Sequence, residues 1–279
     1  MTRLFVEQLT VIDCAYLDAA RGLVGESWIV DIELEGELDG QSMVLDFGEV
    51  KKKLKRALDQ SADHTLVVPA RHAGLSLHRA AQKVSLEFKG PAADVIEHHS
   101  PPQALTLLDA ERVDARSLAA HLQPILAAEV PANVAGVRLH LRHEAIHGAY
   151  YHYTHGLKKH QGQCQRIAHG HRSRLEIRAN GERDTELETA WAERWRDIYL
   201  GTREDLVKTA NGRLRYAYQS SEGRFELELP EPRCDLLDAD STVERIAEHL
   251  AARVARERPG APIEVRAYEG VMKGAIATT

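Results

Sequence analysis

The sequence predicts an α+β protein made of two copies of one small domain. Segments that alternate apolar and polar residues, as half-buried strands do, are interspersed with stretches that have the apolar spacing of amphipathic helices. The same order of elements begins again near Gly148, and a length of 279 residues fits two small domains. No linker rich in Pro, Gly or Ser separates the halves. We therefore predict domains at residues 1–147 and 148–279 that pack tightly together.

The first copy is predicted to run strand, strand, helix, strand, helix, strand. Apolar and charged residues alternate over 28–35, which is typical of a half-buried strand, and a turn is expected at 36–40. In the first helix the apolar residues recur at helical spacing, so the adjacent run of lysines is expected to be its solvated face. The predicted strands are 4–17, 28–35, 84–88 and 137–141, the last two forming a pair, and the predicted helices are 46–58 and 115–127.

The second copy is predicted to repeat this plan. A hairpin is expected around residues 220–223, between two alternating segments. Ahead of the last helix Ser241 is followed three residues later by Glu244, which is the spacing of a capping box. The predicted strands are 149–153, 173–179, 214–218, 225–229 and 263–268, and the predicted helices are 186–200 and 242–256.

Composition and charge exclude several classes of protein. With 43% hydrophobic and 28% charged residues the chain can bury a core, which excludes a disordered or collagen-like chain. No apolar run approaches the ~18 residues that span a bilayer, and the N-terminus lacks a signal-peptide pattern, so we expect a cytoplasmic protein without membrane contact. The net charge of -6 argues against nucleic acid as a partner. Three widely spaced cysteines do not indicate a disulfide framework.

Histidine is the one residue type that stands out. There are fifteen, and eight of them fall within residues 140–171. Solvated loop histidines explain such a cluster without any function, whereas a metal site explains it chemically, because neutral imidazole is a common metal ligand. His169 and His171 lie two residues apart, so a strand places both on one face, and His155 can join them from the neighbouring strand. Three histidines leave a fourth position open, as catalytic zinc requires.

Cys164 lies in the loop that leads to this pair of histidines. A thiol beside a dication, with Lys159 and Arg166 close in sequence, acquires a lowered pKa and can serve as a base. A fourth metal ligand or an inert loop cysteine are the alternatives, and the sequence leaves all three open.

Four motifs add to this pattern. In the second copy YTHGL is followed by CQRIAHGHRSRLEI, the first copy contains GELDGQSMVLDFGEVKKKLKRAL and then ADHTL, and close to its end the chain reads YEGVMKGA. Together these motifs resemble the family of 6-pyruvoyltetrahydropterin synthase and 6-carboxytetrahydropterin synthase. Both halves look like copies of the family's domain, so the resemblance covers most of the chain and indicates a tandem-duplicated member.

The resemblance implies a fold and an assembly. The expected fold is the tunnelling fold, or T-fold, in which an antiparallel four-stranded sheet carries two helices on one face. Such domains assemble side by side into a barrel, so we expect a homo-oligomer, and the active sites lie between neighbouring units. The implied cofactor is Zn²⁺, and the implied partner is a small-molecule pterin substrate.

The two copies depart from the family pattern in opposite ways. In the first copy, residues 24–28 take the place of HGH and the first-strand histidine is missing, so this copy is expected to bind no catalytic zinc. In the second copy the helix lacks the DFG start, and residues 196–200 take the place of the Asp-His segment. These losses are complementary, which predicts one composite site formed by both copies.

The resemblance also implies the role of each site residue. The metal ligands are expected to be His155, His169 and His171, and the proton-transferring groups Cys164, His64 and Asp63. Glu269 is expected to anchor the pterin through its carboxylate, with Glu144, in the matching strand of the first copy, as the alternative. Thr242 matches the family's pterin-contacting threonines in part, and helix capping is its other possible role.

The implied activity is that of a zinc-dependent lyase acting on 7,8-dihydroneopterin triphosphate or a related dihydropterin. The model activity is that of 6-carboxytetrahydropterin synthase, on the route to queuosine-type deazapurines. The alternative is a non-catalytic pterin- or metal-binding protein with the same fold, and a third reading takes the histidines as surface residues of a scaffold. Residues 68–100 look like an insertion and are expected to cover or reshape a site.

Overall fold

The computed structural model describes residues 1–90 and 94–279, which form three sheets and four α-helices. In the first half, long strands β1 (Thr2–Asp18) and β2 (Gly22–Gly36) form an antiparallel hairpin, and β8 (Val134–Arg142) pairs with the free edge of β2. Helices α1 (Phe47–Ser61) and α2 (Ala115–Ala127) pack against this sheet in one apolar core. Two short strands, β3 (Leu66–Pro69) and β7 (Leu105–Leu108), extend the sheet in parallel beside β1.

The second half repeats this arrangement. Its elements are β9 Tyr150–His155, β10 His169–Ala179, β11 Glu182–Arg183, α3 Thr185–Arg194, β12 Ile198–Thr202, β16 Cys234–Leu237, α4 Val243–Glu257, β17 Ile263–Tyr268 and β18 Gly274–Thr278. The antiparallel strands follow the order β9-β10-β17-β18, and a second apolar core lies between them and helices α3 and α4. The short strands β12 and β16 run parallel beside β9, as β3 and β7 do beside β1.

A third sheet joins the two halves. Its strands are β4 Leu75–Arg79, β5 Val84–Lys89, β6 Val95–Ser100, β13 Leu206–Ala210, β14 Arg213–Ser220 and β15 Gly223–Pro230. The first three come from the first half and the others from the second, and the two sets meet where β15 pairs with β6, with Leu227 opposite His98. This sheet covers a third core that includes Phe88, Tyr216 and Phe225. The described residues of the insertion-like segment, 68–90 and 94–100, therefore supply β4, β5 and β6, which are one half of a sheet shared by both copies.

Several sequence predictions are confirmed in detail. Helix α2 has the predicted bounds, and the lysines of α1 are exposed while its apolar stripe is buried. Asp46 caps α1 by accepting a hydrogen bond from the amide of Gly48 at 2.7 Å. The predicted hairpin is formed by β14 and β15, with Ser220 opposite Gly223. In each of these cases, the pattern that predicted the element depends only on residues within that element.

Other predictions were wrong, each for a tertiary reason. The helix predicted over 186–200 ends at Arg194, because buried residues Ile198–Thr202 pair as a strand with β9. The strands predicted at 84–88 and 137–141 do not pair, since β5 covers the third core and β8 covers the first. The capping box at Ser241 and Glu244 is replaced by a cap at Thr242, whose hydroxyl accepts from the amide of Arg245.

The two halves touch closely where β2 crosses β10. A Cβ atom on Gly170 would lie 2.3 Å from the carbonyl oxygen of Tyr153 and 2.7 Å from the Cα of Gly25. Only glycine allows the backbones to approach this closely. The glycine of the HGH motif is thus required both by the neighbouring strand β9 and by the contact with β2 of the other half. None of the helices in the described residues has the length and apolarity needed to span a bilayer.

Candidate active site

The three predicted metal ligands converge at the end of the β9-β10 pair. His169 lies directly opposite His155 in the strand register, and His171 follows on the same face of β10. The Nε2 atoms of His155 and His171 are 3.3 Å apart, and all three residues offer ligand atoms within 4.8 Å of one another. Their side chains are at most 1% exposed. The structure therefore brings together the three histidines that the sequence singled out.

Oxygen atoms fix the orientation of each imidazole. Nδ1 of His155 donates to the carbonyl oxygen of Ser241 at 2.8 Å, and Nδ1 of His169 donates to that of Arg166 at 2.9 Å. Nδ1 of His171 is 3.2 Å from Oδ1 of Asp13, a close contact that lacks the alignment of a hydrogen bond. Such partners hold the proton on Nδ1 and leave Nε2 available to a metal.

The donor set fits a metal ion. Burial, together with neighbouring histidines, lowers the pKa of His155 and of His169 well below the ordinary value, so both are neutral, as metal ligands must be. Three imidazoles with a remaining open position are a coordination set that catalytic zinc uses, although nitrogen donors of this kind also suit other transition metals.

Asp63 and His64 come from the first half, just after α1. Oδ2 of Asp63 lies 2.7 Å from Nδ1 of His64, and Oδ1 of Asp63 accepts a hydrogen bond from the amide of Asp13 at 2.8 Å. His64 has a φ of 52°, a backbone conformation that is uncommon for residues other than glycine. Its own amide donates to the carbonyl oxygen of Asp13 at 2.7 Å. The carboxylate thus fixes the imidazole, and Nε2 is left free.

His64 lies against the second half. Its ring centroid is 5.0 Å from that of His169, and ligand atoms of His64, Cys164 and His169 lie within 4.8 Å of one another. Burial alone would lower the pKa of His64, but its hydrogen bond with Asp63 and the nearby Cys164 thiol outweigh burial and raise the pKa to about 10. The imidazole is therefore protonated at neutral pH and can give a proton to a group beside Cys164.

The loop that carries Cys164 is held by the hairpin β14–β15. Arg166 and Glu222, which lies in the turn of this hairpin, form a two-pronged ion pair with distances of 2.8 and 3.2 Å. The hydroxyl of Tyr218 donates to the carbonyl oxygen of Gln165 at 2.7 Å. The amide of Leu157 donates to the carbonyl oxygen of Cys164 at 2.9 Å and closes the loop. No sequence pattern indicated this support, because the hairpin lies some 55 residues further along the chain.

Glu269 follows β17 in a tight turn. Its amide donates to the carbonyl oxygen of Lys273 at 2.9 Å, and the amide of Gly270 donates to Oγ of Ser173 at 3.0 Å. Nζ of Lys273 lies 3.6 Å from Oε2 of Glu269 and 3.6 Å from Oδ2 of Asp13. Because Asp13 also contacts His171, the predicted anchor is connected to the histidine cluster through these charges.

The remaining two predicted residues have other partners. Glu144 was expected in a strand, but it follows the end of β8, where its carboxylate pairs with Arg174 at 3.2 Å and its carbonyl oxygen accepts from Arg172 at 2.9 Å. Thr242 caps α4, and it is the preceding residue, Ser241, that contacts His155. The contacts of Asp13, Ser241 and the carbonyl oxygen of Arg166 with the histidines were not predicted from the sequence.

The second copy has a counterpart of His64. Asp197 has a φ of 54° and directly precedes β12, much as His64 has a φ of 52° and lies just ahead of β3. Its carboxylate forms an ion pair with Arg21, in the turn between β1 and β2, with distances of 2.5 and 3.0 Å. Within residues 1–90 and 94–279, the groups of His and Cys side chains that could hold a metal ion all lie at the junction that contains His64. At the corresponding junction beside Asp197, the ion pair with Arg21 therefore takes the place of a group of metal-binding side chains.

Fold and site define a class: a tandem-duplicated α+β protein with a buried three-histidine cluster where its halves meet. A family model described as 6-pyruvoyl tetrahydropterin synthase matches the chain twice, over residues 18–152 and 147–278. The chain belongs to this family, as a tandem-duplicated member, and the predicted family and T-fold class are confirmed. The family consists of lyase-type enzymes that act in pterin metabolism and typically bind a metal.

Two of the solved structures that match the chain come from Plasmodium. A catalytic-residue mutant of the Plasmodium vivax 6-pyruvoyltetrahydropterin synthase is 18% identical and has a TM-score of 0.40, with 50% of this chain and 97% of that chain covered. The Plasmodium falciparum 6-pyruvoyl tetrahydropterin synthase is 16% identical and has a TM-score of 0.41, with 50% and 90% covered. No curated protein gives a significant match to the chain.

Proposed function

We propose that the chain is a zinc-dependent carbon–oxygen lyase of the 6-pyruvoyl/6-carboxytetrahydropterin synthase type. Its substrate is 7,8-dihydroneopterin triphosphate or a related dihydropterin, and its active site is composed of residues from both copies. The observation that carries the proposal is the position of His64, from the first copy, against Cys164 and His169 of the second. The conversion to a 6-carboxytetrahydropterin, on the route to queuosine-type deazapurines, is the reaction we assign.

In this proposal each side chain has one role. His155, His169 and His171 hold zinc, which supplies a Lewis acid for an oxygen of the substrate side chain when bound. Cys164 removes a proton from the substrate side chain, and His64, held by Asp63, exchanges a proton on the opposite side. Glu269 accepts N–H donors from the pterin ring in a bidentate contact.

Glu269 is preferred to Glu144 as the anchor because of their surroundings. Lys273 lies between Glu269 and Asp13, and Asp13 contacts the histidine cluster. Glu144 is instead bound by Arg174. Thr242 remains a proposed pterin contact next to Ser241, in addition to its observed role as a helix cap.

The proposal extends to assembly and location. Strand β18 and the first part of β1 are sheet edges, and their residues Ile276 and Phe5 are 54% and 70% exposed, which favours pairing with further copies of the chain along these edges. We assign a homo-oligomer, a cytoplasmic location and a domain boundary between residues 147 and 148. Light scattering of the purified protein measures the first of these directly.

The proposed activity is tested by incubating the zinc-loaded protein with 7,8-dihydroneopterin triphosphate and measuring release of acetaldehyde and triphosphate. Wild type is expected to release both, whereas Cys164→Ala, which removes the proposed base, is expected to release neither. Absence of products at full zinc occupancy would contradict the lyase assignment. Pterin binding by calorimetry that survives in both Cys164→Ala and His64→Ala, without any product, would instead identify a non-catalytic pterin-binding protein.

A further inference from the structure

Asp13 is a buried carboxylate that belongs to none of the sequence motifs. It lies on β1, in the first copy, and is 4% exposed. Its side chain meets three groups: Nδ1 of His171 at 3.2 Å, the hydroxyl of Ser27, which donates to it at 2.5 Å, and Nζ of Lys273 at 3.6 Å. Two of these three groups come from the second copy. A buried charge needs such partners, because burial without them is strongly unfavourable.

The backbone of Asp13 holds a different part of the site. Its amide donates to Oδ1 of Asp63 at 2.8 Å, and its carbonyl oxygen accepts from the amide of His64 at 2.7 Å. One residue therefore contacts the Asp63-His64 pair through its main chain and the histidine cluster through its side chain. Through Lys273 it is also connected to Glu269.

His171 differs from the other two histidines in its partner. His155 and His169 direct Nδ1 to backbone carbonyl oxygens. In the described part of the chain, Asp13 is the carboxylate that lies within 4.0 Å of His171. A carboxylate beside the distal nitrogen of a histidine fixes the ring and makes its other nitrogen a stronger metal donor.

The second copy is shaped around this carboxylate. Gly270, next to Glu269, has a φ of +67°, and a Cβ there would lie 2.6 Å from Oδ1 of Asp13 and 2.8 Å from Oγ of Ser27. Glycine is thus required both by the backbone conformation and by the approach of the first copy. The turn that carries Glu269 packs directly on Asp13.

We propose that Asp13 is a positioning residue through which the first copy tunes the metal ligand His171 of the second copy and aligns it with His64. This inference rests on the proposed metal site. It adds to the composite site a contribution from the first copy that is separate from the catalytic pair. The histidine cluster then depends on both copies for its affinity as well as for its chemistry.

The test uses Asp13→Asn, which keeps the size of the side chain and all backbone contacts but removes the charge. Zinc affinity is measured by competition with a chromophoric chelator, and the cobalt-substituted protein is measured by visible absorption. We expect one ion per chain, bound 10- to 100-fold more weakly, as is typical when a partner of a metal-bound histidine is removed, and an altered cobalt spectrum. Asp31→Asn is the matched control, because Asp31 is a carboxylate on β2 that pairs with Arg142 away from the cluster.

Unchanged zinc affinity and cobalt spectrum in Asp13→Asn would overturn the positioning role while leaving the proposed lyase activity intact. A wild type that binds no ion would overturn both. Should Asp13→Asn fail to fold, Ser27→Ala decides, since it removes the hydroxyl that donates to the Asp13 carboxylate at 2.5 Å and accepts, at a longer 3.2 Å, from the amide of Arg172. A several-fold weaker zinc affinity supports the inference in that case, and an unchanged affinity overturns it.

Discussion

His64 and Asp197 adopt the same left-handed backbone conformation at corresponding places in the two copies, with φ values of 52° and 54°. For residues other than glycine this conformation costs about 1 kcal/mol or more, so the surroundings must hold it. Around His64 the two hydrogen bonds with Asp13 and the carboxylate of Asp63 do so. The result is an imidazole presented to the other copy, whereas Asp197 presents a carboxylate to Arg21.

The crossing of β2 and β10 makes a prediction for Gly170. Gly170→Ala is expected to lower the free energy of unfolding by at least about 1–3 kcal/mol, because the added methyl group meets backbone atoms that cannot move aside. Urea unfolding measures the change. Gly40→Ala is the control, since a Cβ there meets nothing within 4 Å and should shift stability by no more than about 0.5 kcal/mol. Equal effects of the two substitutions would mean that the halves do not approach as described.

At the scale of elements, the hairpin β14–β15 acts as the support of the cysteine loop. The Arg166 side chain is 5% exposed, so it depends on Glu222 for its counter-charge. Removing one partner of a buried ion pair generally costs about 3–5 kcal/mol, part of which the loop can avoid by moving into solvent. We therefore expect the hairpin to hold the loop in place beside His169.

Glu222→Gln is accordingly expected to speed modification of Cys164 by a bulky thiol reagent and to lower kcat at least tenfold, with less change in KM. Glu226→Gln is the control, because Glu226 is a carboxylate of the same hairpin whose partners are Arg224 and Arg215 on the surface. The reagent rate and kcat are measured on both variants. A Glu222→Gln variant that behaves like the control would show that the hairpin does not hold the loop.

The helices and strands that could be predicted are those whose determining residues lie within the element itself. Helix α2 was predicted to the residue because its cap and apolar stripe are local. Helix α3 was predicted too long, because the pairing of β12 with β9 is decided by tertiary contacts that no local pattern shows. The third sheet was missed for the same reason, since its central pair joins residues more than 120 apart in the chain.

Sequence spacing likewise revealed only those residues of the candidate site that lie close together in the chain. His155, His169, His171 and Cys164 lie within one short segment, so their spacing was informative. The Asp63-His64 pair was found only through the family resemblance. Asp13 had no signal at all, because its role comes from the packing of one copy on the other.

For the whole molecule, the third core is what binds the halves together, and His98 lies within it. His98 is 1% exposed, and burial lowers its pKa to about 3. In the unfolded chain its pKa is about 6.5, so between these values the unfolded state binds more protons. Stability is therefore unaffected by His98 above pH 6.5 and decreases as the pH falls toward 3.

The variant His98→Leu is expected to remove this loss. Between pH 7.5 and 4.5 wild type should lose up to about 2–3 kcal/mol more unfolding free energy than the variant, as measured by urea unfolding at both pH values. Other buried histidines titrate in both proteins and cancel in the comparison. Parallel pH dependences of the two proteins would show that His98 is not held neutral in the core.

In the function proposed above, the two copies divide one active site, the second holding the metal and the first supplying the catalytic imidazole. This division is tested most directly by measuring zinc content and turnover of dihydroneopterin triphosphate in His64→Ala and His171→Ala. We predict that His64→Ala keeps one zinc per chain without turnover, and that His171→Ala loses both. Comparable loss of zinc in the two variants, or turnover that persists in His64→Ala, would contradict the account.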